Sequence, residues 1–554
     1  MDKNRNIHRL IIVDKIWEEN KKLILQEILS QGFQGHKIVS ALPIPLKYTG
    51  YCAMIPENLN INEHLEAYPI TNYYFAYTDS VHIKAINRNR TLGSYFDKER
   101  LIYLIGLISS IPAKNKDSID ESGFVRINTP LLRKFFKDYL SYLDYVVRTG
   151  IFICDGHYIP GRISRGFKFA SQYEDSRLVK YTYSTVQQEK QIEVIPSEIY
   201  DEETQQNIPN PLLNFRYLSY WYEQKLLHID EKKASEYAYI IMQEKFRSGI
   251  TSWDINRDKG HGRYICRKHP RSQYNAIIYN ISSISIGDYN AKIDSNVHRL
   301  HSAITNMQKD YRKFLTYDGQ SLINIDIANS QPYLLCLLLN PSFWDKNSSL
   351  SLNIGMLPPN IQERFSEEQI SNIISYLHSL NFEQIQGYIT KASRGEVYDY
   401  MVDVINSSKT NTLVDRDTIK TMILVVFFSS NRFYQQTDAK LKRVFNHHFP
   451  AIYEFIKLTK SNHKEDLACL LQSIESEIIL HRCCKRIWEE GHNQVPAFTI
   501  HDSITTTIEY WEYVKKIMEE ELFRAIGVSP TLNIENWNLD KVEYPQILHD
   551  IIEQ

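Results

Sequence analysis

The sequence predicts a multidomain α+β protein, and three observations support this class. Alternating apolar residues at 322–327 have the period of a β-strand, and a helical pattern follows from residue 330. A second short β-type run, residues 497–504, lies far downstream, and helical patterns such as that of 416–428 lie between the two. A chain of 554 residues is long enough for three or four domains.

Composition limits the classes of function. The formal net charge of −2 is nearly balanced, so a nucleic-acid-binding surface would have to be a local patch. The seven Cys contain no CxxC pair, which indicates a reducing compartment and no structural zinc. The polar amino terminus differs from a signal sequence, and the longest apolar run, 422–428, is too short to span a bilayer. These features predict a soluble, cytoplasmic protein without membrane partners.

The amino-terminal half contains several predicted elements. Apolar periodicity predicts a helix over residues 8–32 and another over 128–149, which ends at Thr149-Gly150. The runs 151–154 and 157–159 flank Asp155-Gly156, a dipeptide typical of a hairpin turn. A helix followed by a basic hairpin resembles a winged helix and would suit DNA; the alternative is a small α+β insert with a solvated basic edge.

Residues 211–248 have a helical, aromatic-rich pattern, and a basic loop follows at 257–271. Such a loop could lie along phosphates, because Lys and Arg supply the sequence-independent part of nucleic-acid affinity. The alternative is a solvated charged surface.

Two carboxylates are the main candidates for chemistry. Asp326 interrupts the apolar strand pattern, on the face opposite Ile323, Ile325 and Ile327, and Asp502 ends the second β-type run. A single Asp at a strand end is more often a cap or a turn residue. Two carboxylates brought together repel unless a divalent cation lies between them, and hard oxygen ligands select Mg²⁺ or Mn²⁺.

The predicted helix 416–428 carries a stripe of four residues. Arg416, Lys420, Leu424 and Phe428 are spaced by four, so they share one slowly drifting face about three turns long. The two cations could bind a triphosphate, and Phe428 could stack on the base and sugar. The alternative is a buried helix, because residues 422–428 are apolar on all sides.

Six segments follow each other in an informative order: 297–307, 322–335, 394–401, 416–436, 471–478 and 500–503. In this order they resemble family A nucleic-acid polymerases, the superfamily of bacterial DNA polymerase I and the phage-type single-subunit RNA polymerases. The resemblance covers about residues 290–540. It implies a right-hand fold with an antiparallel palm sheet that bears both acids, helical fingers and a helical thumb. The expected units are an α+β amino-terminal region (1–115), a winged-helix-like unit (116–185), a thumb with the basic loop (186–290), and palm and fingers (291–554).

The resemblance also implies roles for individual residues. Two Mg²⁺ ions, or Mn²⁺, would be held by Asp326, the main-chain carbonyl of Ile327 and Asp502. Nucleotide binding is implied for Arg416, Lys420, Leu424, Phe428 and Gln331, with Lys420 also able to protonate the departing pyrophosphate. Contacts to the primer and template are implied for Arg299, Gln472 and His501. Glu396-Val-Tyr398 resembles the start of a fingers helix.

The chain departs from the family pattern at the predicted sugar site. Gln331 replaces the glutamate of the DNA polymerases, and Phe428 replaces the tyrosine to which that glutamate is hydrogen-bonded. The RNA polymerases have a glycine at the first of these positions. Because Gln331 is nearly as large as glutamate, it should crowd a ribose, which favours deoxynucleotides. His501-Asp502-Ser503 and the residues after Phe428, in contrast, resemble the RNA polymerase branch.

We therefore expect a DNA-dependent DNA polymerase that uses a DNA template and primer, or RNA, with dNTPs. No Asp-x-Glu pattern lies on a convincing strand before residue 290, so no proofreading exonuclease is predicted. One alternative is a single-subunit-type RNA polymerase or a primase-like enzyme. Another is a non-catalytic DNA-binding replication or regulatory protein on a polymerase fold, against which the intact set of two Asp, Arg and Lys argues.

Overall fold

The computed structural model describes residues 52–69, 96–114, 118–120, 122–128, 132, 139–158, 164–183, 195–201, 206–248, 255–257, 264–266, 269–407, 414–436 and 439–538. The predicted helix 8–32 lies outside these ranges, as does most of the basic loop at 257–271.

Short strands and helices alternate along the first half of the chain, whereas helices dominate between residues 330 and 490. The strands are β1 Cys52–Pro56, β2 Val125–Arg126, β3 Phe152–Cys154, β4 Gly166–Phe169, β5 Leu178–Thr182, β6 Glu198–Asp201, β7 Gln206–Pro209, β8 Leu227–Ile229, β9 Ile255–Arg257, β10 Tyr264–Cys266, β11 Lys292–Ile293, β12 Leu300–His301, β13 Leu315–Tyr317, β14 Gln320–Ile327, β15 Phe498–Ile500, β16 Ser503–Thr507 and β17 Leu532–Trp537. The α-helices are α1 Ile61–Ala67, α2 Lys98–Lys114, α3 Tyr139–Arg148, α4 Arg216–Glu223, α5 Glu231–Ser248, α6 Pro270–Ser285, α7 Ala303–Asn306, α8 Ser330–Leu338, α9 Pro359–Gln362, α10 Glu367–Ser379, α11 Phe382–Ser393, α12 Val397–Ser407, α13 Arg416–Phe428, α14 Lys440–His448, α15 Pro450–Thr459, α16 Asp466–Ser476, α17 Lys485–Glu490 and α18 Trp511–Ile526. A π-helix, Glu477–Cys484, joins α16 to α17.

The central sheet has six antiparallel strands in the described part of the chain, and β14 is its middle. Strand β14 pairs with β16 on one side and with β17 on the other, over residues 322–326 and 322–327 respectively. Strand β15 adds to β16, and β13 and β8 extend the sheet beyond the start of β14. Sequence positions about 300 residues apart therefore meet in one sheet.

The alternation in β14 behaves as the sequence predicts. Ile323, Ile325 and Ile327 are buried, whereas Asp326 keeps part of its surface exposed. Helix α18 packs against β14 and β16, and α8 packs against α18, so a helical layer covers the apolar side of the sheet. The other side carries the acid.

The unit around residues 118–170 differs from its prediction. Strand β3 pairs with β4, and residues 157 and 158 are not in a strand, so the predicted hairpin at Asp155-Gly156 is wrong. The Asp155 carboxylate accepts hydrogen bonds from the backbone N–H groups of His157 and Gly166 and from Arg126. It therefore closes a longer loop that ends at Gly166. The predicted helix end is confirmed, because α3 stops at Arg148 and Gly150 has a φ of 72°.

The segment 211–248 also differs from its prediction, because it is not a continuous helix. Helices α4 and α5 are separated by β8, which pairs with β13 of the central sheet. Lys225, with a φ of 57°, turns the chain between α4 and β8. The predicted helical pattern is correct on both sides of this strand. The strand itself could not be predicted, because three residues are too few to show a period.

Helix α13 spans Arg416–Phe428, as predicted, and it is not buried on all sides. Its N-cap Asp415 accepts a hydrogen bond from the backbone N–H of Thr418. Ile419, Ile423, Val426 and Phe427 face the core. Arg416 and Lys420 are exposed, and Leu424 and Phe428 are half-buried. The stripe of four therefore lies on the outer face, and the buried-helix alternative is wrong for it.

The observed class is a mixed fold with antiparallel sheets and many helices, which agrees with the coarse α+β prediction. The assignments of palm, fingers, thumb and winged helix stay predictions. None of the helices in the described ranges combines the length and the apolar character needed to cross a membrane.

Candidate active site

The two predicted acids meet at one end of the central sheet. Asp326 is the cross-strand partner of Ser503, and Asp502 directly precedes Ser503 in the two-residue turn between β15 and β16. Residues directly opposite in an antiparallel pair lie about 5 Å apart. Both Asp side chains are half-buried, so they are reachable from solvent. Two carboxylates more than 170 positions apart in sequence thus share one site.

The pKa values of Asp326 and Asp502 are both raised above the usual range of an aspartate. Burial and then the neighbouring Asp502 raise the pKa of Asp326, whereas Lys420 and Lys309 oppose the shift, and the net value is about 7. Burial also raises the pKa of Asp502, against the effects of a nearby Ser330 hydroxyl and of Arg299 and Lys420. In the absence of a cation, the pair therefore tends to hold a proton near neutral pH.

The turn that follows Asp326 has an unusual backbone conformation, which a hydrogen bond to the loop before α12 stabilises. Asn329, at the start of α8, is left-handed, with a φ of 50°, and its side-chain amide donates to the Gly395 carbonyl. Gly395 has a φ of 71°, and a Cβ there would lie 2.7 Å from the Cβ of Ala328. Only glycine fits this approach. The loop before α12 thereby fixes the chain directly after Asp326.

Helix α13 brings one of its cations within electrostatic reach of the acids. Lys420 opposes the rise in the pKa of both Asp326 and Asp502. Arg416, one turn earlier, lies with its guanidinium 5.4 Å from the centroid of the Tyr398 ring. Burial raises the pKa of Tyr398, as do the charges of Asp502 and Asp326, so Tyr398 is within electrostatic reach of both Arg416 and the acid pair. Arg416 also donates to Asp399, at 3.1 Å.

Arg299 reaches the site from a loop organised by Asp294. The Asp294 carboxylate accepts from the backbone N–H groups of Val297 and Arg299, at 2.8 and 3.0 Å, and contacts His301 at 2.9 Å. Despite burial, these contacts lower the pKa of Asp294. The neighbouring His298 is held in a left-handed conformation, with a φ of 60°. The loop therefore presents Arg299 in one orientation.

Glu475 connects Arg299 to Gln331. Arg299 Nη2 donates to Glu475 Oε1 at 2.6 Å, and Gln331 Nε2 donates to Glu475 Oε2 at 3.1 Å. The Glu475 side chain, on α16, is only 2% exposed. Burial raises the pKa of Glu475, Arg299 opposes this, and the charges of Asp502 and Asp326 add to the increase, so that the net value is about 8. Glu475 therefore lies within electrostatic reach of the acid pair.

The remaining predicted residues border the same region. Gln472 is half-buried and lies one turn before Glu475 on α16. His501 is exposed at the tip of the β15–β16 turn, with a φ of 56°. Leu424 and Phe428 continue the outer stripe of α13, one and two turns beyond Lys420. Ile327 ends β14 directly after Asp326.

Several residues near the acids were missed by the sequence analysis. Glu475 was within a segment that resembles the family, and its spacing of three from Gln472 places both on one helix face. Lys309 and Arg312 lie in the segment before β13. The charge of Lys309 lowers the pKa of Asp326, and the charges of Asp326 and Asp502 raise the pKa of Arg312, against the effect of its burial. Asn329 could not be found, because an Asn after a strand is an ordinary turn residue.

The donor set fits a hard divalent cation. Among the described residues, no group of three or more His, Cys, Asp and Glu could hold a metal ion. Asp326 and Asp502 supply two carboxylates, and Ile327 supplies the adjacent carbonyl; Mg²⁺ commonly uses one or two carboxylates and keeps several waters. A divalent cation between the two acids would relieve the repulsion by Asp502 that contributes to the raised pKa of Asp326.

Comparison with known proteins adds little. No protein-family model and no curated protein matches the sequence. Among solved structures, the POL domain of Pol1 from M. smegmatis, in complex with DNA primer-template and dNTP, matches at 12% identity, over 55% of this chain and 64% of that chain, with a TM-score of 0.20. The match spans less than two thirds of that chain. At such a TM-score this neighbour supports no conclusion about fold or function.

Proposed function

We propose that this chain is a template-directed nucleotidyltransferase, with DNA synthesis as the favoured activity. The observation that carries the proposal is the convergence of Asp326 and Asp502 at one sheet end, opposite Lys420 of α13. Paired carboxylates with facing cations are what nucleotidyl transfer requires, because the protein mainly positions the reactants and neutralises the triphosphate.

The chain's own residues would divide the work as follows. Asp326, Asp502 and the Ile327 carbonyl would hold Mg²⁺ ions, which activate the attacking hydroxyl and stabilise the leaving pyrophosphate when bound. Arg416 and Lys420 would bind the triphosphate, and Lys420 would also supply a proton to the leaving group.

The other predicted residues would hold the nucleotide and the primer. Leu424 and Phe428 would contact the base and sugar from the outer face of α13. Gln331, at the first turn of α8, would lie beside the sugar. Arg299 acts electrostatically on Asp502, His501 directly precedes it, and Gln472 lies one turn from Glu475 on α16, which supports a role at the primer end.

Primer extension tests this proposal. Purified protein is given a labelled DNA primer-template with dNTPs or with rNTPs, each with Mg²⁺ and with EDTA. We expect Mg²⁺-dependent extension with dNTPs, which is lost in Asp326→Ala and Asp502→Ala while DNA binding is nearly unchanged. Undiminished extension by either variant would refute the assignment of these acids. Extension with rNTPs alone would indicate an RNA polymerase, and DNA binding without extension under any condition would indicate a non-catalytic protein.

A further inference from the structure

Glu475 is a buried carboxylate that holds two side chains from different parts of the chain. It accepts one hydrogen bond at each oxygen, from Arg299 at 2.6 Å and from Gln331 at 3.1 Å. These donors come from the loop before β12 and from the first turn of α8. One helix residue thus fixes the relative position of two residues that border the acid pair.

This arrangement is poorly explained by stability alone. Removing a carboxylate from water is costly, and a buried ion pair is often no more stabilising than apolar residues of similar volume. Here the cost is increased by the charges of Asp326 and Asp502, which disfavour the ionised form of Glu475. What the carboxylate supplies instead is orientation, because each of its oxygens accepts from a different donor, Arg299 at one and Gln331 at the other.

The orientation is visible in the atoms that remain without a partner. Gln331 turns its NH₂ group toward Glu475, so its carbonyl oxygen points away, and this buried oxygen has no hydrogen-bond partner. Arg299 likewise gives Nη2 to Glu475, while its buried Nε donates to no group. The pair thus presents one free acceptor and one free donor.

These two atoms have a matching chemistry in a nucleic-acid substrate. The 3′-hydroxyl, which dNTP and rNTP share, can donate to the Gln331 oxygen, and a side chain held there leaves less room for a 2′-hydroxyl. A minor-groove acceptor, N3 of a purine or O2 of a pyrimidine, can accept from the Arg299 Nε–H. A buried polar atom without a partner costs about 1–3 kcal/mol, so a ligand that pairs both would gain from that relief.

We propose that Glu475 is a positioning residue that fixes the Gln331 carbonyl toward the sugar of the incoming nucleotide and the Arg299 guanidinium toward the primer end, and so sets the preference for deoxyribose. The proposal rests on the proposed polymerase function. It assigns Glu475 no direct contact with the substrate.

The Gln substitution is the sharpest probe of this role. In Glu475→Gln, one of the two oxygens becomes an NH₂ group that must face a donor. Arg299 carries a charge and keeps the remaining oxygen, so the new NH₂ faces Gln331 and forces its amide to turn over. The 3′-hydroxyl then meets an NH₂ group where it had met an acceptor, and dNTP and rNTP share this loss because the space left at the 2′ position is unchanged. Glu475→Ala instead leaves Gln331 free to move out of the sugar's path.

The experiment measures kcat and KM for one dNTP and for the matching rNTP in single-nucleotide extension, with wild type, Glu475→Gln and Glu475→Ala. Each change is made alone and with Gln331→Gly. Glu477→Gln is the control, because Glu477 is two residues away and pairs with Arg482 at 3.3 Å. We expect Glu475→Ala to lower the dNTP to rNTP ratio of kcat/KM by about tenfold, or about 1.4 kcal/mol, and Glu475→Gln to lower kcat/KM for both nucleotides with little change in their ratio. With Gln331→Gly already present, neither should change the ratio further.

A purely structural role predicts a different result. Loss of packing would reduce kcat for both nucleotides alike, leave the ratio unchanged, and act equally with and without Gln331. If wild type extends primers and neither Glu475 variant changes the ratio, the inference is overturned and the polymerase assignment stands. If wild type extends with neither nucleotide, the proposed function fails and this inference fails with it.

Discussion

Replacing Asp326 by Asn should stabilise the metal-free protein while it abolishes nucleotide incorporation. Burial and the adjacent Asp502 raise the pKa of Asp326 to about 7. The ionised pair is therefore unfavourable in the folded state, and a neutral amide of the same shape removes the repulsion. The variant would demonstrate that the acids are kept for chemistry at the expense of folding free energy.

The magnitude follows from the shift in pKa. The pKa of Asp326 rises from 3.8 to about 7, a difference of about 3 units, and each unit corresponds to about 1.36 kcal/mol. This sets a ceiling of about 4 kcal/mol for the repulsion and burial terms together. Because the side chain is half-exposed and an amide also has to be buried, we expect a gain of about 1–2 kcal/mol.

The sign of the pH dependence is fixed by the same shift. Below pH 4 the carboxyl is protonated in both the folded and the unfolded state, so it has no effect on their balance. Between pH 4 and 7 the folded state holds the proton longer, so wild-type stability falls as pH rises, and the full loss is reached above pH 7. The advantage of Asp326→Asn should therefore be small at pH 5 and largest at pH 8.

Urea unfolding in EDTA at pH 5, 6, 7 and 8 measures the free energy of unfolding of both proteins. Asp318→Asn is the matched control, since Asp318 is exposed in the β13–β14 turn, at the other end of β14. Added Mg²⁺ should stabilise wild type and not Asp326→Asn, because a ligand stabilises only the state that binds it. An Asn variant that is less stable than wild type at pH 8 would show that the two acids do not repel each other.

Three further predictions test other parts of the site and its support. Lys420→Ala should reduce kcat/KM for nucleotide incorporation about 100-fold or more, because part of the triphosphate charge is then no longer neutralised. Lys440 is an exposed residue on α14, and Lys440→Ala should change kcat/KM little in the same extension assay. Gly395→Ala should lower the free energy of unfolding by about 1–3 kcal/mol in urea, because the new Cβ meets Ala328 at a φ of 71°. Burial and Lys442 lower the pKa of Lys460 to about 7, so between pH 7.5 and 9 the folded protein has lost a proton that the unfolded chain keeps. The free energy of unfolding of the wild type should therefore rise by roughly 1 kcal/mol per pH unit over this range relative to that of Lys460→Met. Equal slopes of unfolding free energy against pH for the two proteins would contradict this.

Local patterns predicted the elements that carry the site. Helix α13 begins and ends where the sequence places it, and β14 shows the predicted alternation around Asp326. Both are long enough for their period to be read, and each repeats a side-chain type at a fixed spacing. The turn at Asp502 was also predictable, since a polar turn ends an apolar run.

Pairing across the sheet could not be predicted in the same way. Strand β8 has three residues between two helices, and β17 has Asn and Glu among its apolar residues, so neither has a distinct period. The wrong hairpin at Asp155 has a similar cause, because the carboxylate bonds that close its loop reach Gly166 and Arg126. These are contacts between residues 11 and 29 positions apart, for which the sequence gives no local signal.

The position of Asp326 depends on several such non-local contacts acting together. Because side chains alternate along a strand, a shift of one residue between β14 and β16 would turn Asp326 to the apolar face and separate it from Asp502. Strand β17 pairs along the other edge of β14 in the same register, and Asn329 is tied to Gly395 directly after the acid. Each contact prevents a different displacement. The pairing with β16 and the pairing with β17 each prevent β14 from sliding along that strand, and the Asn329–Gly395 hydrogen bond prevents rotation of the turn. Since a loss of about 1 Å in the placement of reacting groups can reduce rates about 100-fold, we expect changes in these supports to affect catalysis more than binding of DNA.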